Sequence, residues 1–100
     1  MKFKKHQLDR RHNGYHHWKY FIAIRYEKDM YQLRQDFFTV RDWCWTTWGT
    51  SKEINEWMMD NKQLDAVSQN PHWCWQNDRY HMRIYLRTDK ELSQFALVWI

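Results

Sequence analysis

Between residues 18 and 26 the chain alternates. Trp18, Tyr20, Ile22, Ile24 and Tyr26 take every second position, with Lys19, Phe21, Ala23 and Arg25 between them. A strand sends successive side chains to opposite faces, so this period in aromatic and β-branched residues predicts a strand over 17–26. The spacing then changes. Met30, Leu33 and Phe37 fit one face of a helix, and the stretch equally suits a long hairpin connection, so 28–37 is read as helix or loop. Alternation around Trp43-Cys44-Trp45 predicts a second strand over 38–46.

Trp48-Gly49 closes that segment, and Thr50 with Glu53 three residues on matches a capping box, whose side chains satisfy free N–H groups at a helix start. Ile54, Trp57 and Met58 supply a buried stripe, with a further turn through Leu64 and Val67 and a stop at Asn70-Pro71. A short strand is expected over 72–76, around a second Trp-Cys-Trp triplet (Trp73, Cys74, Trp75), followed by a turn at Asn77-Asp78. The clearest strand comes next. Tyr80, Met82, Ile84 and Leu86 lie on one side, and His81, Arg83, Tyr85 and Arg87 on the other. Thr88 and Glu91 repeat the capping box, Leu92, Phe95 and Ala96 give a helical stripe, and residues 97–100 are apolar enough for a last strand.

From residue 38 onward this order is βαββαβ. The expected fold is α+β, a ferredoxin-like two-layer sandwich with an added N-terminal strand at 17–26. One hundred residues support one core. Residues 1–15 show no convincing period and are read as a basic arm, with a single domain over 16–100.

Charge sharpens that division. Residues 1–20 hold six bases (Lys2, Lys4, Lys5, Arg10, Arg11 and Lys19) against Asp9, a net +5. The other eighty hold ten bases and eleven acids, a net −1, so the high pI of about 9.2 belongs to the arm. Such asymmetry suits an anionic partner. The apolar runs are too short to span a bilayer, and no apolar stretch follows the first lysines, so a cytoplasmic protein without a membrane partner is expected.

If Cys44 and Cys74 faced the helices, Trp43, Trp45, Trp73 and Trp75 would share an open sheet face with Arg83, Tyr85 and Arg87. Rings interleaved with arginines can stack bases and meet phosphates, and the same face could be covered by a second copy. The strand reading Arg79-Tyr80-His81-Met82-Arg83-Ile84-Tyr85-Leu86 lacks the glycines of the common RNA-binding signature. His12, His16 and His17 could offer imidazoles to a metal, yet no fixed Cys or carboxylate set accompanies them, so no metal or cofactor is expected. With glycine only at 14 and 49, no phosphate-cradling loop exists, and no nucleophile elbow appears.

The ending Tyr85-Leu86-Arg87-Thr88-Asp89-Lys90-Glu91-Leu92-Ser93-Gln94-Phe95-Ala96-Leu97-Val98-Trp99 resembles the closing segment of small accessory proteins of tailed bacteriophages. That resemblance implies an infected bacterial cytoplasm and takeover of host components by binding. The sequence therefore leads to a non-enzymatic binding protein with a protein partner. The alternatives are single-stranded nucleic-acid binding through the arm and the aromatic face, and a His-dependent metal or nuclease-like role.

Overall fold

The computed structural model describes residues 2–11, 18–25, 29–54, 70–77 and 82–100. Its elements run β1 (Phe3–Gln7), β2 (Tyr20–Ile24), α1 (Met30–Trp48), β3 (Trp73–Asn77), β4 (Met82–Leu86) and α2 (Asp89–Trp99). The strands form one antiparallel sheet in the order β1-β2-β4-β3. Because β2 and β3 both run antiparallel to β4, they are parallel to each other, and α1 makes the crossover between them. That is a split βαβ unit. The protein is thus a small α+β fold with two helices and four strands among the described residues.

Register decides which side chains meet. One face carries Tyr20, Ile22 and Ile24, opposite Leu86, Ile84 and Met82, with Trp73 and Trp75 beyond them and Phe3 on β1. Both helices pack here: Phe37, Val40 and Cys44 from α1 and Phe95 from α2 join Ile22, Trp73, Ile84 and Leu86 in one buried cluster. The other face carries His6, Phe21, Tyr85 and Cys74 in one cross-strand row and Lys4, Ala23, Arg83 and Gln76 in the next. There Phe21, Tyr85 and Cys74 bury together with Leu8, Trp18 and Ile54.

Three expectations are corrected. Residues 38–46 are helix, not strand, and 28–37 resolves to helix from Met30 onward. Leu33, Phe37, Val40, Cys44 and Trp48 continue one helical stripe, and burying Phe37, Val40 and Cys44 against the sheet outweighs the local alternation. Asp29 caps the start by accepting the Gln32 N–H at 2.7 Å. The Thr50–Glu53 box does not open a helix, because Glu53 forms a parallel bridge with Trp75 and the Ile54 N–H donates to the Trp75 carbonyl at 2.7 Å. The helix expected beyond Ile54 falls outside the described residues. The last strand over 97–100 is instead the end of α2, where Phe95 and Trp99 keep to one helical stripe and the Ile100 N–H donates to Ala96.

The described order is therefore ββαββα in place of βαββαβ. The strand at 17–26 is present as β2, between β1 and β4. The expected arm begins as β1. Its sequence hides this because Lys4 and Lys5 are poor strand formers and its pairing with β2 is not local. The strands at 72–76 and 80–87 are found at Trp73–Asn77 and Met82–Leu86, and Thr88 caps α2 as expected, although Glu91 takes the Thr88 hydroxyl and not its backbone N–H.

One junction ties the helical layer to the sheet. Gly49 ends α1 with φ 95 and ψ 177, a conformation L side chains rarely adopt, and its carbonyl accepts the Trp73 indole N–H at 2.9 Å. Buried Asn70 donates to the carbonyls of Trp48 and Thr50 and accepts the N–H groups of His72 and Trp73. Ser51 donates to the Trp73 carbonyl. An added Cβ on Gly49 would meet only Asn70 Nδ2, at 3.6 Å, so the objection to a side chain is conformational. Gly49→Ala should lose about 1–3 kcal/mol of stability, and Trp73→Ala about 3–5 kcal/mol. Urea unfolding of each variant checks both values, and a Gly49→Ala protein as stable as the parent would contradict the geometry.

Candidate macromolecule-binding surface

The basic residues predicted as an arm are distributed by the fold. Lys4 and Lys5 lie on β1 and are exposed, Lys4 on the face away from the helices and Lys5 on the helix side. Lys2 precedes β1, and its carbonyl accepts the Arg25 N–H at 2.8 Å, which sets Arg25 beside the strand. Lys2, Phe3, Arg25, Trp99 and Ile100 line a shallow cleft of about 350 Å³ at this end of the sheet. Arg10 is exposed in the turn after β1.

Two of the six are already engaged. The Arg11 guanidinium forks onto Asp9, with N···O distances of 2.8 and 3.2 Å. Lys19 reaches Asp89 at 3.0 Å, and the Tyr20 hydroxyl donates to the same carboxylate at 2.5 Å. The Tyr20 and Lys19 hydrogen bonds hold the Asp89 carboxyl below its ordinary range. Among the described residues, Lys4, Lys5, Arg10 and Arg25 have no acidic partner. Arg25 was not singled out from the sequence. Its signal is positional: one residue past β2, it falls across from Lys2 in the register that pairs Phe3 with Ile24.

The residues expected on one aromatic sheet face are separated. Trp43 and Trp45 lie on α1. Trp43 packs edge-on against Trp48, Phe95 and Trp99, with centroids 5.3, 5.9 and 6.0 Å away. Trp45 is 39% exposed. Trp73 and Trp75 point to the helices, Trp73 fully buried and Trp75 under the Arg41 guanidinium at 4.9 Å. Arg83 and Tyr85 point to the opposite face. Tyr85 is buried and donates to Gln76 at 2.9 Å, while Arg83 lies over the Phe21 ring at 4.2 Å. His6 stacks on Phe21 at 4.9 Å. Arg87 is exposed beyond the end of β4.

The premise that both cysteines face the helices from the sheet fails at each: Cys44 lies on α1 and packs toward the sheet, and Cys74 points to the face away from the helices. Cys44 and Cys74 sit in separate clusters on opposite faces of the sheet, both buried as free thiols. Burial pushes both thiols up, leaving little thiolate for metal binding or nucleophilic attack at neutral pH. His12, His16 and His17 lie outside the described residues, and among those described no cluster of metal-ligating side chains forms. No described helix is long and apolar enough to cross a membrane.

A second polar cluster sits at the start of α2. Thr88 accepts the Lys90 N–H at 3.2 Å and donates to Glu91, and His72 Nδ1 lies 2.9 Å from the other Glu91 oxygen. Both carboxylate oxygens are thereby taken, so the arrangement works as a helix cap. Burial pushes the Glu91 carboxyl up, but the Thr88 and His72 hydrogen bonds outweigh it and hold the group below its ordinary value of 4.5.

A depressed folded-state pKa gives stability that is present above the unfolded value and is lost as pH falls through the folded value. The protein should therefore lose stability on acidification below about pH 4.5. Glu91→Gln should cost about 1–3 kcal/mol at neutral pH and flatten that acid limb. Denaturant unfolding between neutral and acid pH measures both, and an unchanged acid limb in the variant would exclude Glu91 as its source. Compared with protein-family models, curated proteins and solved structures, the chain matches none of them.

Proposed function

We propose that this chain is a non-enzymatic accessory protein that binds another protein through the basic strand β1 and the residues beside it. One observation carries the reading: Lys4, Lys5 and Arg25 are exposed together at one border of the sheet, with no described acid to neutralise them. Charges left unpaired at a surface keep their field for a partner, speed encounter and select its sign. The setting stays the one implied by the resemblance of residues 85–99, the cytoplasm of an infected bacterium. In fold terms, we read the sheet as a ferredoxin-like sandwich whose closing strand has moved to the front of the chain. Placing β1 beside β2 reproduces that sheet order while the chain runs ββαββα.

The nucleic-acid alternative would use the same cations but needs rings on which bases can stack. Among the rings proposed for it, Trp73 and Tyr85 are buried, Trp75 lies beneath Arg41, Trp43 packs against Trp48, Phe95 and Trp99, and the exposed Trp45 stands apart on α1. A second copy seated on an open aromatic face meets the same difficulty. The protein-binding reading needs no exposed ring.

The test compares the parent with Lys4→Ser/Lys5→Ser/Arg25→Ser, immobilised and exposed to bacterial lysate. Retained material should resist nuclease, elute with salt, and fall by about tenfold for the variant, as removal of several contact charges implies. Circular dichroism should show an intact fold, because all three side chains are exposed. Retention of nuclease-sensitive material, or equal retention by the variant, would overturn the reading.

A further inference from the structure

Resting on the protein-binding reading, we propose its mode: the partner supplies an acidic, extended segment that pairs with the outer edge of β1 as an additional strand. The sheet has two borders. At β3 the border is occupied, since Trp75 exchanges main-chain hydrogen bonds with Lys52 and Ile54, at 3.5 and 2.7 Å, around the Glu53 bridge. At β1 no described residue pairs with the outer side.

The hydrogen-bond phase shows which groups this edge offers. The Leu8 N–H donates to Lys19 and the Arg25 N–H to Lys2, both in the register that pairs Phe3 with Ile24. In an antiparallel ladder, bonded and non-bonded pairs alternate. Lys2, Lys4, His6 and Leu8 therefore turn their main-chain groups toward β2, and Phe3, Lys5 and Gln7 turn theirs outward. Each outward residue presents one N–H and one C=O, and none has another partner among the described residues.

The edge is also held in place. Phe3 packs edge-on against Phe95 at 5.4 Å and Trp99 at 6.1 Å, and His6 stacks on Phe21. A strand ordered in advance gives up little further entropy when another strand joins it.

Charge chooses the occupant. In antiparallel pairing of two copies of β1, the lysines at its centre would face one another, and like charges directly opposite destabilise a strand pair. Lysines on an edge are a recognised guard against such self-pairing. The same lysines favour a strand with Asp or Glu at alternate positions, whose carboxylates share one face and meet Lys4 or Lys5 according to the register. Main-chain bonds would supply affinity and the acids would supply specificity.

The experiment uses the full chain, isotopically labelled, and two peptides of equal charge. One is acetyl-Thr-Glu-Val-Glu-Val-Glu-Thr-amide, and the other is the same peptide N-methylated at alternate residues. The first should shift and protect the amides of Phe3, Lys5 and Gln7. N-methylation should weaken binding at least about tenfold, as loss of several main-chain bonds implies. Lys5→Pro removes an outward donor while sparing the bonds to β2, and should bind the first peptide at least about fivefold more weakly than Lys5→Gln. If Lys5→Pro disturbs the sheet, the N-methyl comparison still decides.

Equal binding of the two peptides, or shifts that avoid β1, would overturn strand addition while leaving a basic protein-binding surface standing. Absence of peptide binding would overturn it too, with the lysate comparison still judging the broader reading. Concentration-dependent shifts in β1 without peptide would assign the edge to a second copy and also overturn it.

Discussion

Burying Trp73 without stranding its indole N–H is the constraint on which the architecture turns. The ring sits between sheet and helices with no solvent contact. An orphaned buried donor forfeits part of the gain from burying so large a side chain, a cost met at Trp75 and Trp99, whose buried indole N–H groups have no partner among the described residues, and avoided at Trp73. The acceptor is the Gly49 carbonyl, aimed there by a backbone conformation that ends α1. Asn70 and Ser51 then close the remaining main-chain groups of the junction. Fixing β3 in this way places β4 beside it, and β4 in turn aligns β2, since each pairs with the next in register.

The same layering explains where the covered sheet stops. The two helices bury the rows running from Trp73 through Leu86 and from Trp75 through Ile84 and Ile22, and α2 meets β1 at Phe3. Lys5 belongs to the helix side of the sheet yet stays exposed, as does Gln7. A lysine there carries no desolvation penalty, and an uncovered outer strand tolerates charge that a central strand would not. Cations that look like a loose arm in the sequence are thus presented on a rigid strand, and Arg25 joins them from β2's end through its bond to Lys2.

Strands β2, β3 and β4 and the cap of α2 were legible because their signals are local: alternation in the strands, and a Thr88-to-Glu91 box followed by an apolar stripe. The two Trp-Cys-Trp triplets show why α1 was not. The same three residues form a helix turn at Trp43–Trp45 and a strand at Trp73–Trp75, because a triplet cannot tell period two from period three and a half. The wider stripe from Leu33 to Trp48 carried the answer. β1 had no comparable signal, since its strand character comes from pairing with residues some twenty positions away. The basic cluster was visible in the charge count, but its membership was not. Arg11 and Lys19 leave it through ion pairs, and Arg25 enters it only through the register. The proposed aromatic face failed at two steps: Trp43 and Trp45 sit on a helix, and Cys74 does not face the helices. With Cys74 on the opposite side, Trp73 and Trp75 turn inward and part from Arg83 and Tyr85.

β1 is an edge strand with one side bonded to β2 and the other paired with no described residue. Amide hydrogen exchange of the free protein, resolved residue by residue over 3–8, tests this directly. Alternation is expected, with slow exchange at Lys4, His6 and Leu8 and fast exchange at Phe3, Lys5 and Gln7. Uniformly fast exchange would mean that the segment is an arm after all, and uniformly slow exchange would mean that the edge is already covered.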